Sequence, residues 1–113
     1  MALYNKVYVT NSFSINMLDR KNQHIHFIPC SLESAMAHLD SENVVSAIGH
    51  PDTARIVSSI LGIDLPASRI NVKMGNNDMV LVAQYAGPRL PEGAKELPEG
   101  ATIEFWITEF SRL

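Results

Sequence analysis

Of the four histidines in this 113-residue sequence, His50 stands in the setting best suited to acid–base work. It follows Ile48-Gly49 and directly precedes Pro51-Asp52, at the mouth of a segment with strong helix-start features. A helix N-terminus offers unpaired backbone N–H groups and the positive end of the helix dipole, which together attract a phosphate. An imidazole held there can exchange a proton with a group on the bound anion. Gly49 leaves space for a ligand to approach the backbone. A histidine that merely caps the helix fits the same facts, and on the residues alone the choice stays open.

Other polar residues suit recognition of a phosphate and a base. Asn11-Ser12-Phe13-Ser14-Ile15-Asn16 follows the first predicted strand, and its side chains can form a turn or read a base and a ribose. Arg69 follows Pro66-Ala67-Ser68, and Arg89 lies in Gly87-Pro88-Arg89-Leu90-Pro91-Glu92-Gly93. Either arginine can grip a phosphate bidentately or serve as ordinary surface charge. Gln84 interrupts the apolar run Val80-Leu81-Val82-Ala83, where a buried amide needs partners, so it is expected to face a ligand or a subunit interface. His24 and His26 share one face of a predicted strand, but two imidazoles are not a metal site and no matching third ligand accompanies them. The expectation is therefore no metal and no cofactor. His38 reads as a surface residue, and Cys30, beside Phe27-Ile28-Pro29, as a half-buried structural thiol.

These residues need elements to hold them. Tyr4–Val9 alternates partially and reads as a first strand, Gln23–Ile28 as a second. Ser31 can cap a short helix through about Leu39, while Asn43–Ile48 is ambiguous between strand and helical turn. A firmer helix is predicted over Pro51–Leu61, with Asp52 at its positive end and Gly62 as its stop. Arg69–Met74 and Met79–Tyr85, flanking Gly75-Asn76-Asn77-Asp78, read as a hairpin. Thr102–Phe110 reads as the last strand, with Ile103, Phe105, Ile107 and Glu109 on one face. Leu-Pro-Glu-Gly-Ala occurs at Leu90–Ala94 and again at Leu97–Ala101, which reads as successive turns in one loop. The sum is one α/β domain over residues 1–113, with about five strands and two helices.

Composition narrows the functions. A 46% hydrophobic content supports a folded core and excludes a mainly disordered chain. Net charge is −3 with only 9 Lys and Arg, which argues against a protein that tracks long DNA or RNA. A compact nucleotide, held by a few arginines and a helix N-terminus, remains compatible. No apolar run approaches membrane-spanning length, and the opening residues lack the regions of a signal peptide, so the expectation is a cytoplasmic protein with no membrane partner.

Asn5-Lys6-Val7-Tyr8, Asn11–Leu18, Ser46-Ala47-Ile48-Gly49-His50 with Thr53, Leu61-Gly62 and Arg69 together resemble the viral ring nuclease family, the type III anti-CRISPR proteins. The resemblance spans essentially the whole chain. It implies a homodimer with a mixed sheet flanked by helices, binding cyclic tetra-adenylate across the dimer interface. It further implies cleavage without metal, which silences the host nucleases that this messenger activates. Carried over by position, His50 matches the catalytic histidine. Asn11, Ser14, Asn16, Arg69 and Gln84 fall at ligand-contacting positions, beside Gly49. Arg89 and Glu92 match an Arg-x-x-Glu pair near the scissile phosphate. Gly87-Pro88 lengthens that loop relative to the family pattern, which leaves Glu99 as an alternative carboxylate. A dimer that binds the ring without cutting it, and an interaction protein of a mobile element, are the competing readings.

Overall fold

The first strand, β1 (Val7–Thr10), is buried at all four positions, as expected of an interior strand covered on both faces. It lies between two parallel neighbours, β3 (Val44–Ser46) and β4 (Met79–Ala86), with Val7 opposite Val44 on one side and Met79 on the other. β4 also pairs antiparallel with β5 (Thr102–Ser111), and β5 pairs antiparallel with β2 (His24–Cys30). The result is a mixed five-stranded sheet in the order β2-β5-β4-β1-β3. The computed structural model describes residues 4–18, 24–75 and 77–111, which form one domain. Gln23, at the start of a predicted strand, and Asn76, within a predicted turn, lie outside the described residues.

Two helices pack on one face. The short α1 (Leu32–Ala37) is capped by Ser31, whose hydroxyl accepts the Ser34 N–H at 3.1 Å. The longer α2 (Pro51–Leu61) opens on Pro51 and closes at Gly62, which adopts the left-handed conformation (φ 69°) that glycine tolerates best. Its Ala54, Val57 and Leu61 meet Val7, Val9, Leu81, Phe105 and Ile107 in the larger core. Each fully buried aliphatic side chain there contributes about 1.5–3 kcal/mol. Ser58 secures the chain beyond α2, its hydroxyl accepting the Leu65 N–H at 2.9 Å and donating to the Leu65 carbonyl at 3.2 Å.

The opposite face carries a second, smaller core of Tyr8, Val80, Val82, Val72 and Met74, with Phe13, Trp106 and Phe110 at its margin. Both helices lie against one side of the sheet, and the Phe13–Leu18 and Arg69–Met74 stretches cover the reverse side. The structure corrects two expectations. Arg69–Met74 is not a strand and forms no hairpin with β4, because both edges of β4 are taken by β1 and β5. The segment crosses the sheet instead, fixed by Ser68 N–H to the Ile48 carbonyl and Met74 N–H to the Met17 carbonyl, both 2.8 Å. Finally, β1 starts at Val7 rather than Tyr4, and the ambiguous Asn43–Ile48 stretch resolves as β3. The two Leu-Pro-Glu-Gly-Ala copies do form turns. Ala94 N–H bonds the Pro91 carbonyl and Ala101 N–H that of Pro98, with Gly93 and Gly100 at φ 77° and 84°.

Candidate functional site

In a sheet of this kind, ligands settle in the crevice beyond the carboxyl ends of parallel strands. Four expected site residues cluster at that edge. Asn11 directly follows β1, Gly49-His50 follow β3, and Gln84 lies in the last turn of pleat of β4. The edge is held by the Ala47 N–H bond to the Val9 carbonyl, 2.8 Å.

His50 is the N-cap of α2 and is exposed. Its Nδ1 accepts the Asp52 N–H at 3.2 Å, so the neutral ring carries its proton on Nε2. The capping bond thus selects the tautomer and leaves Nε2 for a ligand. Arg69 lies against the adjacent Gly49: a Cβ on that glycine would come within 2.9 Å of the Arg69 Cγ. Only glycine admits this approach, which brings an exposed guanidinium side chain next to the cap of α2.

The turn that carries Glu92 reaches the same helix through the two residues that follow it. Asp52, 7% exposed, accepts the Gly93 N–H on Oδ2 at 2.8 Å. Its Oδ1 is engaged by Arg55 Nη1 at 3.2 Å, and that nitrogen also donates to the Ala94 carbonyl at 3.2 Å. The Arg55 side chain is half exposed, so the ion pair itself is worth on the order of 1 kcal/mol or less; the charge-assisted bond to Gly93 is the stronger contact. Asp52 was legible only as a favourable charge at a helix start, and Arg55 gave no sign at all, because their partners lie 41 and 39 residues along the chain. Arg89 is exposed beyond Pro88, whose carbonyl accepts the Tyr85 hydroxyl; no contact links it to His50 among the described residues. Glu99 sits in the second turn and is likewise exposed.

Ser14 and Asn16 occupy a 3-10 turn, Ile15–Met17. The Ser14 hydroxyl accepts the Asn16 N–H at 3.3 Å, and Lys73 Nζ donates to the Asn16 carbonyl at 2.6 Å. Gln84 is exposed rather than buried, on the face away from the helices. There it joins Phe13, Phe27, Val82 and Trp106 around an open cavity of about 290 Å³. Phe13 and Phe27 meet edge to face, ring centroids 4.9 Å apart. Neither phenylalanine nor Trp106 had been singled out as a site residue; the alternation of β5 marks Trp106 as facing away from Phe105 and Ile107, the one available clue. The predicted residues thus divide between a polar group at the α2 cap and an aromatic hollow across the sheet edge.

The other candidates stay apart. His24 and His26 are exposed on β2, His26 opposite Glu109, and no three metal-ligating side chains gather among the described residues. His38 caps α1 through Nδ1 and the Ser34 carbonyl, 2.7 Å. Cys30 is half-buried, and burial pushes its thiol pKa up, which suits a structural thiol. No helix among the described residues is long and apolar enough to cross a membrane.

The five-stranded mixed sheet with its two helices matches the fold of a solved viral protein. The chain belongs to the STIV B116-like family, whose family model matches residues 7–106. Among solved structures it is similar to B116 of Sulfolobus turreted icosahedral virus, with a TM-score of 0.75 and 30% identity over 91% of this chain and 97% of that one. It is also 30% identical over 87 residues to "Uncharacterized protein 26" of Sulfolobus islandicus filamentous virus, covering 77% of this chain and 73% of the relative. Both relatives are viral proteins.

Proposed function

We propose that this protein is a metal-independent ring nuclease, which as a homodimer binds cyclic tetra-adenylate and cuts it to linear di-adenylate, countering type III CRISPR signalling. The observation that carries the reading is the His50 cap: a helix N-terminus, a ring nitrogen aimed outward and an arginine lie side by side.

RNA brings its own nucleophile, the ribose 2′-hydroxyl, so the protein needs to orient the ring, stabilise charge and manage protons. The 2′-oxygen bonds to phosphorus as the bond to the 5′-oxygen breaks, leaving a 2′,3′-cyclic phosphate and a 5′-hydroxyl. Glu92 takes the proton from the 2′-hydroxyl, and the His50 imidazolium gives one to the departing 5′-oxygen from Nε2. Once the ring is cationic, Nδ1 is protonated and gives up the Asp52 N–H. That N–H then joins the anion-binding end of α2. Arg69, together with Arg89, neutralises the pentavalent phosphorane. The Phe13, Phe27 and Trp106 hollow suits a stacked base, and the exposed Gln84 amide, which donates to the Tyr85 carbonyl at a long 3.4 Å, can turn to read an adenine edge. Asn11 assists there, while Ser14 and Asn16 orient the ribose.

The test is incubation of labelled cyclic tetra-adenylate with the protein in excess EDTA, beside His50→Ala. The expected result is conversion to linear di-adenylate by the native protein, slowed about 100- to 10,000-fold in the variant while ring binding persists. Binding without cleavage by both proteins means a sponge, and absence of binding overturns the reading.

A further inference from the structure

The Pro91–Ala94 turn is fastened to α2 in a way its own sequence does not require. Its twin, Pro98–Ala101, closes the same backbone turn from the same five residues. Among the described residues no side chain bonds the main chain of Gly100 or Ala101, whereas the first copy is held at two main-chain groups. Asp52 accepts the N–H of Gly93, and Arg55 donates to the carbonyl of Ala94. The two anchors are joined to each other at 3.2 Å. An acidic residue that served only the helix dipole could remain in solvent. Asp52 is instead buried and divides its two oxygens between helix and loop.

We propose that Asp52 and Arg55 are positioning residues for the reaction. They lock the turn that carries Glu92, and the approach from Arg89, against the first turn of α2, so that His50 and the loop meet the reacting phosphate in one fixed geometry. This assignment rests on the ring-cleaving reading above. Asp52 contributes twice, since its backbone N–H also holds the neutral His50 ring at Nδ1 before the ring takes up its proton. The cap that selects the imidazole tautomer and the clasp that holds the loop are therefore parts of one residue. Misplacing a catalytic group by about an ångström can cost on the order of 100-fold in rate, so a clasp of this kind has a measurable effect on turnover.

Arg55 is the better residue to vary, because its half-exposed side chain can be shortened without opening the core. Arg55→Ala, Arg55→Lys and Asp52→Asn are compared with the native protein in two assays. The first follows trypsin cleavage after Arg89 and Lys95, which flank the tethered turn, and hydrogen exchange of the Gly93 amide. The second measures single-turnover cleavage of cyclic tetra-adenylate at saturating protein, with ring affinity measured separately. Arg55→Ala is expected to speed loop cleavage about tenfold and to slow ring cleavage about 10- to 100-fold with affinity within about threefold. Arg55→Lys recovers part of both, and Asp52→Asn, which keeps an acceptor for Gly93, falls between. Unchanged loop cleavage and exchange overturn the clasp. A loosened loop with an unchanged ring-cleavage rate overturns the positioning role. If the native protein leaves the ring intact, the reaction reading fails and takes the positioning role with it. The trypsin and exchange measurements still separately uphold or overturn the clasp.

Discussion

At the scale of single residues, the site turns on how close backbone and side chains come. Gly49 is the sharpest case, because the Arg69 side chain occupies the space a β-carbon would take. Gly49→Ala is expected to displace Arg69 and weaken ring binding about tenfold, the order of one charge-assisted phosphate contact, with little change in Tm. Titration calorimetry paired with thermal unfolding checks both parts, and a loss of Tm comparable to a core mutation would mean that Gly49 serves packing alone. His50, Gly49 and Arg69 were legible as a group because sequence adjacency and the Pro51 helix start place the first two. The local pattern offered Arg69 as a phosphate ligand or surface charge but did not show that it packs on Gly49, and the strand expected over Arg69–Met74 is not formed. Gln84 was read correctly as anomalous in an apolar run but is exposed, since the run ends one residue before it and the cavity begins there.

Among elements, the lesson lies in what alternation encodes. Val72 and Met74 are buried while Asn71 and Lys73 are exposed, so the period-two pattern is genuine over Asn71–Met74, although Ile70, in phase with it, is exposed. It reports which side chains face a core, and it is silent on whether the backbone has a free strand edge to join. The helix signals were local and complete: Ser31, Pro51, Asp52 and Gly62 all act where sequence puts them. β3 was ambiguous because three residues carry too little pattern and its partner is β1, far back along the chain. Where β5 passes the end of its pairing with β4, Thr108 takes over the role of a backbone partner. Its hydroxyl, in a residue 3% exposed, accepts the Val80 N–H and donates to the Val80 carbonyl, both at 3.0 Å. Thr108→Val keeps the shape and strands two buried polar groups, at an expected cost of about 1–3 kcal/mol and a fall in Tm of roughly 5–15 °C. Differential scanning calorimetry reads this directly, and a variant as stable as the native protein would mean that water replaces the hydroxyl.

For the whole molecule, the proposed substrate sets the stoichiometry. A ring with twofold symmetry matched to a dimer with closed twofold symmetry binds as one ring per two chains, each chain supplying one His50. Sedimentation of the His50→Ala protein with increasing ring is expected to saturate at that ratio, and saturation at one ring per chain would mean that each protomer carries a complete site. Charge composition bears on the size of the proposed ligand and not on the fold. Net charge constrains how many phosphates can be neutralised but is indifferent to strand order.

The position of β1 has a further consequence, for how the chain acquires its shape. Residue 7 must find residues 44 and 79, and β2 has no neighbour in the sheet until residues near 105–111 arrive. Nearly every strand pairing closes a long loop, which makes this a slow-folding topology for its size. During synthesis β2 is made well before β5, its only neighbour in the sheet. Until β5 is made, β2 is an unpaired edge, and the exposed His24 and His26 on it are polar interruptions in a segment otherwise prone to pair with the wrong neighbour.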